Sequence, residues 1–230
     1  MKQQPQDPPE TRSQVRSRER VVAHGEVFTA PREVNAMLDL VKTETERIDS
    51  RFLEPACGDG NFLIEILRRK LRVVAGKSRG NPSEYELLAC QAVSTVYGIE
   101  LLPDNAEACR QRLWNFVVEQ WQYHVAADSR PAAPEDSDFC RTVAYLLQRN
   151  IICGDALTYQ TVGPHQQPIF FSEWTFIGQR VRRTDYRYDF MVRKQHQYSL
   201  FDEAGEVKTF DEPVREYPTM HFLKLFTYGE

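Results

Sequence analysis

The sequence lacks the features that mark secreted, membrane-spanning and zinc-binding proteins. No apolar run approaches the length of a membrane span, and the polar first residues have no apolar signal-peptide core. The five cysteines form no Cys-x-x-Cys pair, and the five histidines have no metal-ligand spacing. We therefore expect reduced thiols, no structural zinc, no membrane association and a cytoplasmic location.

A general excess of positive charge is also absent. The net charge is −4 and the isoelectric point is near 5.8, whereas a domain that binds nucleic acid unaided usually carries a basic face. Binding to nucleic acid would therefore depend on a local basic patch. The length of 230 residues and the hydrophobic content of 41% fit one α/β domain with appendages.

Composition divides the chain into three segments. Residues 1–20 are rich in proline, glutamine, serine and arginine, and we expect a disordered leader there. Residues 21–177 carry the apolar periodicities of a folded domain. Residues 178–230 form a C-terminal extension that is first basic and aromatic and then acidic.

The most informative stretch joins a short strand to a helix through a glycine turn. Phe52 and Leu53 are apolar strand residues, Gly58 and Gly60 lie in the turn, and apolar residues at helical spacing predict a helix from about Asn61. Glycine lets a ligand approach the backbone closely, and the first turn of a helix offers unpaired N–H groups. This pattern predicts a small-molecule site.

Two residues of this stretch argue against a dinucleotide ligand. A dinucleotide fingerprint needs a third small residue where this chain has Leu63. Glu54, at the end of the strand, would repel a pyrophosphate and attract a cationic amino-acid group. The alternative is an ordinary turn between a strand and a helix.

Two later predicted strands also end in a carboxylate. The second strand ends at Glu100, where the ribose of a nucleoside ligand would lie. The third ends at Asp155, which can accept a hydrogen bond from a donor group of the ligand. Leu101 and Leu157 come after these acids and can flank a planar ring.

A further helix is predicted before the glycine turn. Phe28-Thr29-Ala30-Pro31 precedes apolar residues at i, i+3, i+4 and i+7 spacing, which is typical of an amphipathic helix. Thr29 suits the N-cap position, and Pro31 suits the first turn.

Four segments, in this order along the chain, resemble the S-adenosylmethionine-dependent amino-group DNA methyltransferases, particularly the adenine-N6 enzymes. They are Phe28–Pro31, Glu54–Phe62, Gly98–Ala106 and Gly154–Leu157. The resemblance implies a Rossmann-like class I fold of α/β type. Such a fold has a doubly wound, mostly parallel sheet, here with an N-terminal helix and a short C-terminal extension. It also implies that residues 21–177 bind S-adenosylmethionine.

The same resemblance assigns site residues. Glu54 and the Gly58–Gly60 turn would hold the methionine part of the cofactor, Glu100 the ribose and Asp155 the adenine. In the family, a Phe-Thr-Pro-like segment contacts the methionine end, and this chain has one residue inserted between Thr and Pro. The cofactor residues implied are Phe28, Thr29, Pro31, Glu54, Ala56, Cys57, Gly58, Gly60, Asn61, Phe62, Glu100, Leu101, Asp155, Ala156 and Leu157.

The catalytic motif of that family is missing. Its members have Asn/Asp/Ser-Pro-Pro-aromatic after the fourth strand, which binds the target amine and stacks on the flipped base. Here the predicted strand Pro168–Phe171 leads into Ser172, Glu173 and Trp174, and no Pro-Pro pair occurs after residue 9. Three interpretations stay open: a divergent amine site, a loop that has lost its chemistry, or aromatic residues (Trp174 and Phe176) that only pack. The catalytic residues are therefore unknown.

Residues 178–194 interleave arginines with aromatic residues. This pattern suits phosphate contact and base stacking, and a solvated charged strand is an equal alternative. DNA is the partner that the resemblance implies. The remaining tail is too short for a target-recognition domain of the usual size. Sequence-specific methylation would therefore need a specificity or partner subunit, or the specificity is loose.

The function expected from the resemblance is adenine-N6-like DNA methylation of the restriction-modification type. One alternative is a catalytically impaired, S-adenosylmethionine-binding regulatory or partner subunit. A second is methylation of RNA or protein.

Overall fold

The computed structural model describes residues 19–20, 22, 29–126, 131, 133–197 and 213–228. The α-helices that we label are α1 (Pro31–Asp39), α2 (Lys42–Thr45), α3 (Asn61–Ser78), α4 (Pro82–Ser94), α5 (Pro103–His124), α6 (Asp138–Asn150) and α7 (Tyr188–Gln197). The strands are β1 (Phe52–Glu54), β2 (Val96–Glu100), β3 (Ile151–Asp155), β4 (Gln160–Thr161), β5 (Phe170–Ile177), β6 (Arg180–Arg187), β7 (Arg215–Glu216) and β8 (Met220–His221). Short 3₁₀ helices span Pro134–Asp136 and Phe222–Thr227.

The first three strands form a parallel sheet in the order β1-β2-β3, and β4 adds an antiparallel strand beside β3. Parallel neighbours require a crossover connection, which α3 and α4 provide between β1 and β2, and α5 and α6 between β2 and β3. The prediction of a mixed α/β fold with a mostly parallel sheet is confirmed. Within the described ranges, every helix is too short or too polar to span a membrane.

The two faces of this sheet are covered differently. Successive side chains of a strand point to opposite faces. Val96 belongs to the main apolar core, which is built largely from the helices. Tyr97 points to the other face, where it packs in a smaller cluster with Ile169, Phe171 and Tyr188. The chain after β4 therefore covers the face that the crossover helices leave open.

The expected fourth strand does not join the parallel sheet. The sequence predicts that Pro168–Phe171 extends that sheet, but the strand begins at Phe170 and pairs antiparallel with β6 over eight residues, as far as Ile177↔Arg180. β7 and β8 pair with β6 and complete a second, antiparallel sheet.

The reason is local. β5 and β6 are joined by a two-residue turn in which Gly178 has a φ of 59°. A tight hairpin brings complementary strands together with very little loop to close, so pairing within the segment is favoured over pairing with β1. The hairpin also joins the predicted segments 21–177 and 178–230 in one sheet. Of the predicted leader, Glu19 and Arg20 are described, and both are helical; residues 1–18 lie outside the described part of the chain.

Lys70 of α3 connects the beginnings of β1 and β2. It is fully buried, and its Nζ donates to the Ile48 carbonyl (3.1 Å), the Ser50 carbonyl and Thr95 Oγ1 (2.8 Å). Burial lowers the pKa of Lys70 to about 7.

This buried lysine predicts a pH dependence of stability. Between pH 7 and the unfolded pKa of 10.5, the unfolded chain binds more protons than the native chain, so the free energy of unfolding contributed by Lys70 rises with pH. We expect wild type to gain stability relative to Lys70→Met from about pH 7 to about pH 9, by at most about 1.4 kcal/mol per pH unit. Urea titrations measure this difference. Lys77→Met, at an exposed site on the same helix, is the control, and an equal pH slope for wild type and Lys70→Met would contradict the prediction.

Candidate ligand site at the carboxyl ends of the parallel strands

Three carboxylates lie at one edge of the parallel sheet. Glu54 ends β1, Glu100 ends β2 and Asp155 ends β3. Because these strands are parallel neighbours, their carboxyl ends meet at the same edge. Ligands of such sheets bind outside the carboxyl ends of the strands. The structure thus brings together three acids that lie far apart in the sequence.

The glycine turn connects β1 to α3 and depends on its glycines. Gly58 and Gly60 have φ angles of 54° and 93°, in the left-handed region that disfavours other residues. A Cβ on Gly60 would lie 2.8 Å from Cys109 Sγ on α5. The turn therefore packs directly against the helix after β2, and α3 begins at Asn61 as predicted.

Glu100 holds this turn against the end of β2. Its Oε2 accepts from the Gly58 N–H (2.8 Å), and its Oε1 accepts from the Leu102 N–H (3.0 Å) and from Asn105 Nδ2 (3.4 Å). The residue is only 8% exposed. A carboxylate has about four acceptor positions, so a position remains for a ligand hydroxyl beside these contacts.

Glu54 is a half-buried carboxylate beside the turn. Burial raises its pKa, and the weak hydrogen bond that Oε1 accepts from the Ala56 N–H (3.4 Å) opposes that shift. Among the described residues, no cationic side chain lies within ion-pair distance of Glu54. Since a partly desolvated carboxylate is stabilised by a cation, this environment favours a ligand with a positively charged group.

The third acid lies beside exposed apolar side chains. Asp155 Oδ1 accepts from the Leu157 N–H (2.8 Å). The Leu157 residue is 87% exposed and Leu101 is 45% exposed. Ala156 is partly buried against the smaller apolar cluster. Exposed leucines beside an acceptor oxygen can cover the faces of a planar ring.

The N-terminal segment contacts Asn61, the first residue after the glycine turn. Asn61 Nδ2 donates to the Thr29 carbonyl (3.0 Å). Thr29 is not the N-cap, however: α1 begins at Pro31 with Ala30 at the cap, because the first hydrogen bond of the helix runs from the Val34 N–H to the Ala30 carbonyl (3.0 Å). Phe28 lies outside the described residues.

Arg112 of α5 is a site residue that the sequence did not reveal. It donates to Asn61 Oδ1 (2.7 Å) and to the carbonyl and Oδ1 of Asp59 (both 3.3 Å). Arg112 thereby holds the side chain of Asn61, which in turn donates to the Thr29 carbonyl. No local pattern marks it, since it is one of several charged residues on a long helix.

The other predicted cofactor residues have mixed surroundings. Ala56 and Pro31 are exposed, whereas Phe62 packs partly buried against the main core. Cys57 is buried, and a hydrogen bond with Cys109, together with burial, raises the pKa of its thiol well above the usual range. Cys57 is therefore a packing residue of the turn and not a thiolate nucleophile.

Ser172 belongs to a buried ion-pair network. Its Oγ donates to Asp185 Oδ1 (2.7 Å) and accepts from Arg183 Nε (3.0 Å). Arg183 also bonds Asp185 Oδ2 (2.6 Å) and the Tyr145 hydroxyl (2.8 Å). Ser172, Arg183 and Asp185 are all at most 8% exposed. A serine with these partners is not available to a target amine.

The path of β5 also carries its residues away from the acidic edge. Glu173 forms an ion pair with Arg51 (2.6 Å), and Trp174 Nε1 donates to Asn150 Oδ1 (3.1 Å). Arg51 and Asn150 stand directly before β1 and β3, at the ends of these strands opposite to the three acids. Of the three interpretations of this segment, packing of Trp174 in the core fits the structure, and an amine site at Ser172–Trp174 does not.

The basic stretch 178–194 is divided between internal and surface contacts. Arg183 is buried, Arg180 donates to the Thr219 carbonyl (2.8 Å), and Arg187 pairs with Asp189 (2.8 Å). Arg182 is exposed. The stretch thus offers fewer cations to a phosphate than its sequence indicates.

Comparisons of the chain with models of protein families, with curated proteins and with solved structures found no match.

Gly98 lies in closely packed surroundings behind the glycine turn, and we expect that a larger side chain does not fit there. A Cβ there would lie 2.8 Å from Cys57 Sγ and 3.0 Å from Leu63 Cδ1. We expect Gly98→Ala to lower the free energy of unfolding by about 1–3 kcal/mol. Gly76→Ala is the matched control, because nothing lies within 4 Å of the added Cβ and alanine favours the helix by up to about 1 kcal/mol. Equal stabilities of the two variants in urea unfolding would refute this packing.

The buried network predicts a structural role for Asp185. Removing its carboxylate leaves the Arg183 guanidinium buried without its ionic partner, so Asp185→Ala should cost about 3–5 kcal/mol of unfolding free energy. Glu46→Ala, which breaks the exposed Lys42–Glu46 pair, should cost no more than about 0.5 kcal/mol. Denaturant titration measures both, and a cost for Asp185→Ala as small as the control's would show that the network is not structural.

Proposed function

We propose that this chain is an S-adenosylmethionine-dependent methyltransferase of the adenine-N6 DNA type, with a Rossmann-like core. The observation that carries the proposal is the convergence of Glu54, Glu100 and Asp155 at one sheet edge beside the glycine turn. A nucleoside that carries a cationic amino-acid group matches this set of acceptors. A cytoplasmic location is part of the same proposal.

The residues at this edge fit the three parts of the cofactor. Glu54 is half-buried and lacks a described cationic partner, which suits the methionine ammonium group. Glu100 is fixed by backbone N–H groups and keeps acceptor capacity for ribose hydroxyls. Asp155 can accept from the adenine amine between the exposed side chains of Leu101 and Leu157.

The bound cofactor would supply an electrophilic methyl group for direct transfer to a nitrogen. The chain's contribution is to position and to exclude water. Glu100 and Arg112 hold the glycine turn from two sides, and Asn61 connects the turn to Thr29. This fixed frame lets the acids bind without reorganisation.

A second candidate is a cofactor-binding subunit without its own catalytic centre, which acts beside a partner or specificity subunit. The burial of Ser172 and Trp174 at the opposite end of the strands favours it, because the family's amine site would have to lie near the cofactor. The internal use of Arg183 also reduces the cations available for DNA. Both candidates share the same cofactor site.

Calorimetric titration with S-adenosylmethionine tests that shared site. We expect saturable binding by wild type, weakened by about 1–3 kcal/mol in Glu100→Gln and in Asp155→Asn, the scale of losing a hydrogen bond to a charged group. Glu119→Gln, at an exposed position of α5, should bind like wild type. Circular dichroism of each variant shows whether it remains folded.

Tritium transfer to plasmid and genomic DNA then separates the two candidates. Binding with transfer supports the enzyme, and binding without transfer supports the cofactor-binding subunit. The absence of binding by folded wild-type protein would overturn both.

A further inference from the structure

A cavity lies beside β1, on the side of the strand that faces away from β2. It has a volume of about 360 Å³, is partly open to solvent, and lies between β1, β2, the hairpin strands β5 and β6, and α7. We call it the β1-edge cavity. Its walls include Arg51, Leu53, Tyr97, Phe171, Glu173 and Tyr186.

Aromatic residues dominate these walls. Tyr97 and Phe171 pack edge to face with ring centroids 5.4 Å apart. Tyr186 is the cross-strand partner of Phe171 and therefore lies on the same face of the hairpin. Walls of this composition suit a flat ring system, because every planar heterocycle can stack on or against an aromatic side chain.

The cavity also contains a backbone donor and acceptor that the sheet does not use. Phe52 N–H donates to the Thr95 carbonyl (2.9 Å), so Phe52 directs its backbone groups towards β2. Successive residues of a strand direct these groups to opposite sides, and Leu53 therefore points its N–H and carbonyl away from β2. On that side of β1, no strand pairs with it among the described residues.

Some of the side-chain polar groups already have partners. The Tyr97 hydroxyl donates to the Ser172 carbonyl (2.8 Å), and Arg51 pairs with Glu173 (2.6 Å) at the rim, where both side chains stay partly exposed. On the strand itself, a ligand would meet one adjacent donor and acceptor, those of Leu53, next to aromatic walls. The edges of nucleobases carry an adjacent donor and acceptor on a flat ring.

We propose that the β1-edge cavity binds a single nucleobase, with its polar edge on the Leu53 backbone and its faces against the aromatic walls. A peptide strand fits less well, because strand pairing needs outward backbone groups at several alternate residues and β1 has only three residues. The volume lies at the lower end of the range for ligand pockets, which suits one base and its sugar.

This site goes beyond the proposed methyltransferase function and does not depend on it. Leu53 directly precedes Glu54, and consecutive residues of a strand are about 3.3 Å apart, so the cavity adjoins the cofactor edge. The two sites nevertheless use different atoms. The base could come from a free nucleoside or from an unpaired position in a nucleic acid.

Nuclear magnetic resonance of the ¹⁵N-labelled full chain tests the proposal without any substitution. Titration with adenosine should shift the amide signals of Leu53, Phe171 and Tyr186. N6,N6-dimethyladenosine keeps the rings but lacks the donor, and it should bind about threefold to tenfold more weakly. Shifts confined to Asp155–Leu157 would place adenosine at the cofactor edge and overturn the proposal, as would no shift at millimolar adenosine.

Variants test separately the hydrogen bond to the Leu53 backbone and the stacking on Tyr186. Leu53→Pro removes the N–H at an edge position where proline is tolerated, and should weaken adenosine about threefold to tenfold, whereas Leu53→Ala should keep most of the affinity. Tyr186→Ala should lose at least about fivefold through stacking. Tyr123→Ala, on α5 outside the cavity, is its control. Equal affinity for adenosine in all four variants would overturn the proposal. If Leu53→Pro does not fold, the comparison of Tyr186→Ala with Tyr123→Ala decides.

Two further titrations identify the source of the base and distinguish binding in the β1-edge cavity from binding at the cofactor site. Tighter binding of a single-stranded oligonucleotide than of adenosine, lost when the oligonucleotide is abasic, indicates a nucleic acid; the reverse order indicates a free nucleoside. S-adenosylmethionine should shift the Gly58, Glu100 and Leu157 amides instead. If S-adenosylmethionine does not bind, the adenosine result at Leu53 still stands. If adenosine does not bind at Leu53, the S-adenosylmethionine result still stands.

Discussion

The candidate cofactor site depends on one hydrogen-bonded carboxylate, that of Glu100. It joins the end of β2 to the Gly58 N–H and to the beginning of α5, so the turn, the strand end and the helix move as one unit. The glycines make this possible, because the turn needs positive φ angles and lies within contact distance of Cys109. Without this anchor the Gly58 N–H would lose its acceptor, and the turn would be less firmly held beside the three acids, whose strands are held by the sheet itself.

The antiparallel hairpin determines the structure of the chain beyond the parallel strands. Its tight turn makes β5 pair with β6 instead of with β1, and the Ser172–Arg183–Asp185 network then buries the segment in which the family's amine site would lie. The same arrangement leaves the outer backbone of β1 without a strand partner in the described chain and creates the cavity beside Leu53. One local pairing thus buries the segment that could have formed a divergent amine site and leaves a cavity beside β1.

The sequence predicted the acidic edge well and the hairpin poorly, for physical reasons. Glu54, Glu100 and Asp155 each end a short apolar run, and parallel strands bring their carboxyl ends together whatever the details of packing. No comparable rule predicts the surroundings of Ser172 and Arg183. Their meaning depends on which strand pairs with which, and an arginine that bonds a buried aspartate looks the same in sequence as one that meets a phosphate. Arg112 was missed for the same reason, since its role comes from the position of α5 over the turn.

The sequence by itself determined the α/β class, the glycine turn and the acids that end the strands. These are consequences of apolar periodicity and of glycine conformational freedom, which act over a few residues. The mostly parallel sheet was an implication of the family resemblance. Only the tertiary structure decided the pairing of β5, the burial of Ser172 and Trp174, the contact of Arg112 with the turn and the outward-facing backbone at Leu53. The side-chain contacts of Ser172, Trp174 and Arg112 join residues 11 to 53 positions apart, and their energies depend on burial and geometry that no local pattern encodes.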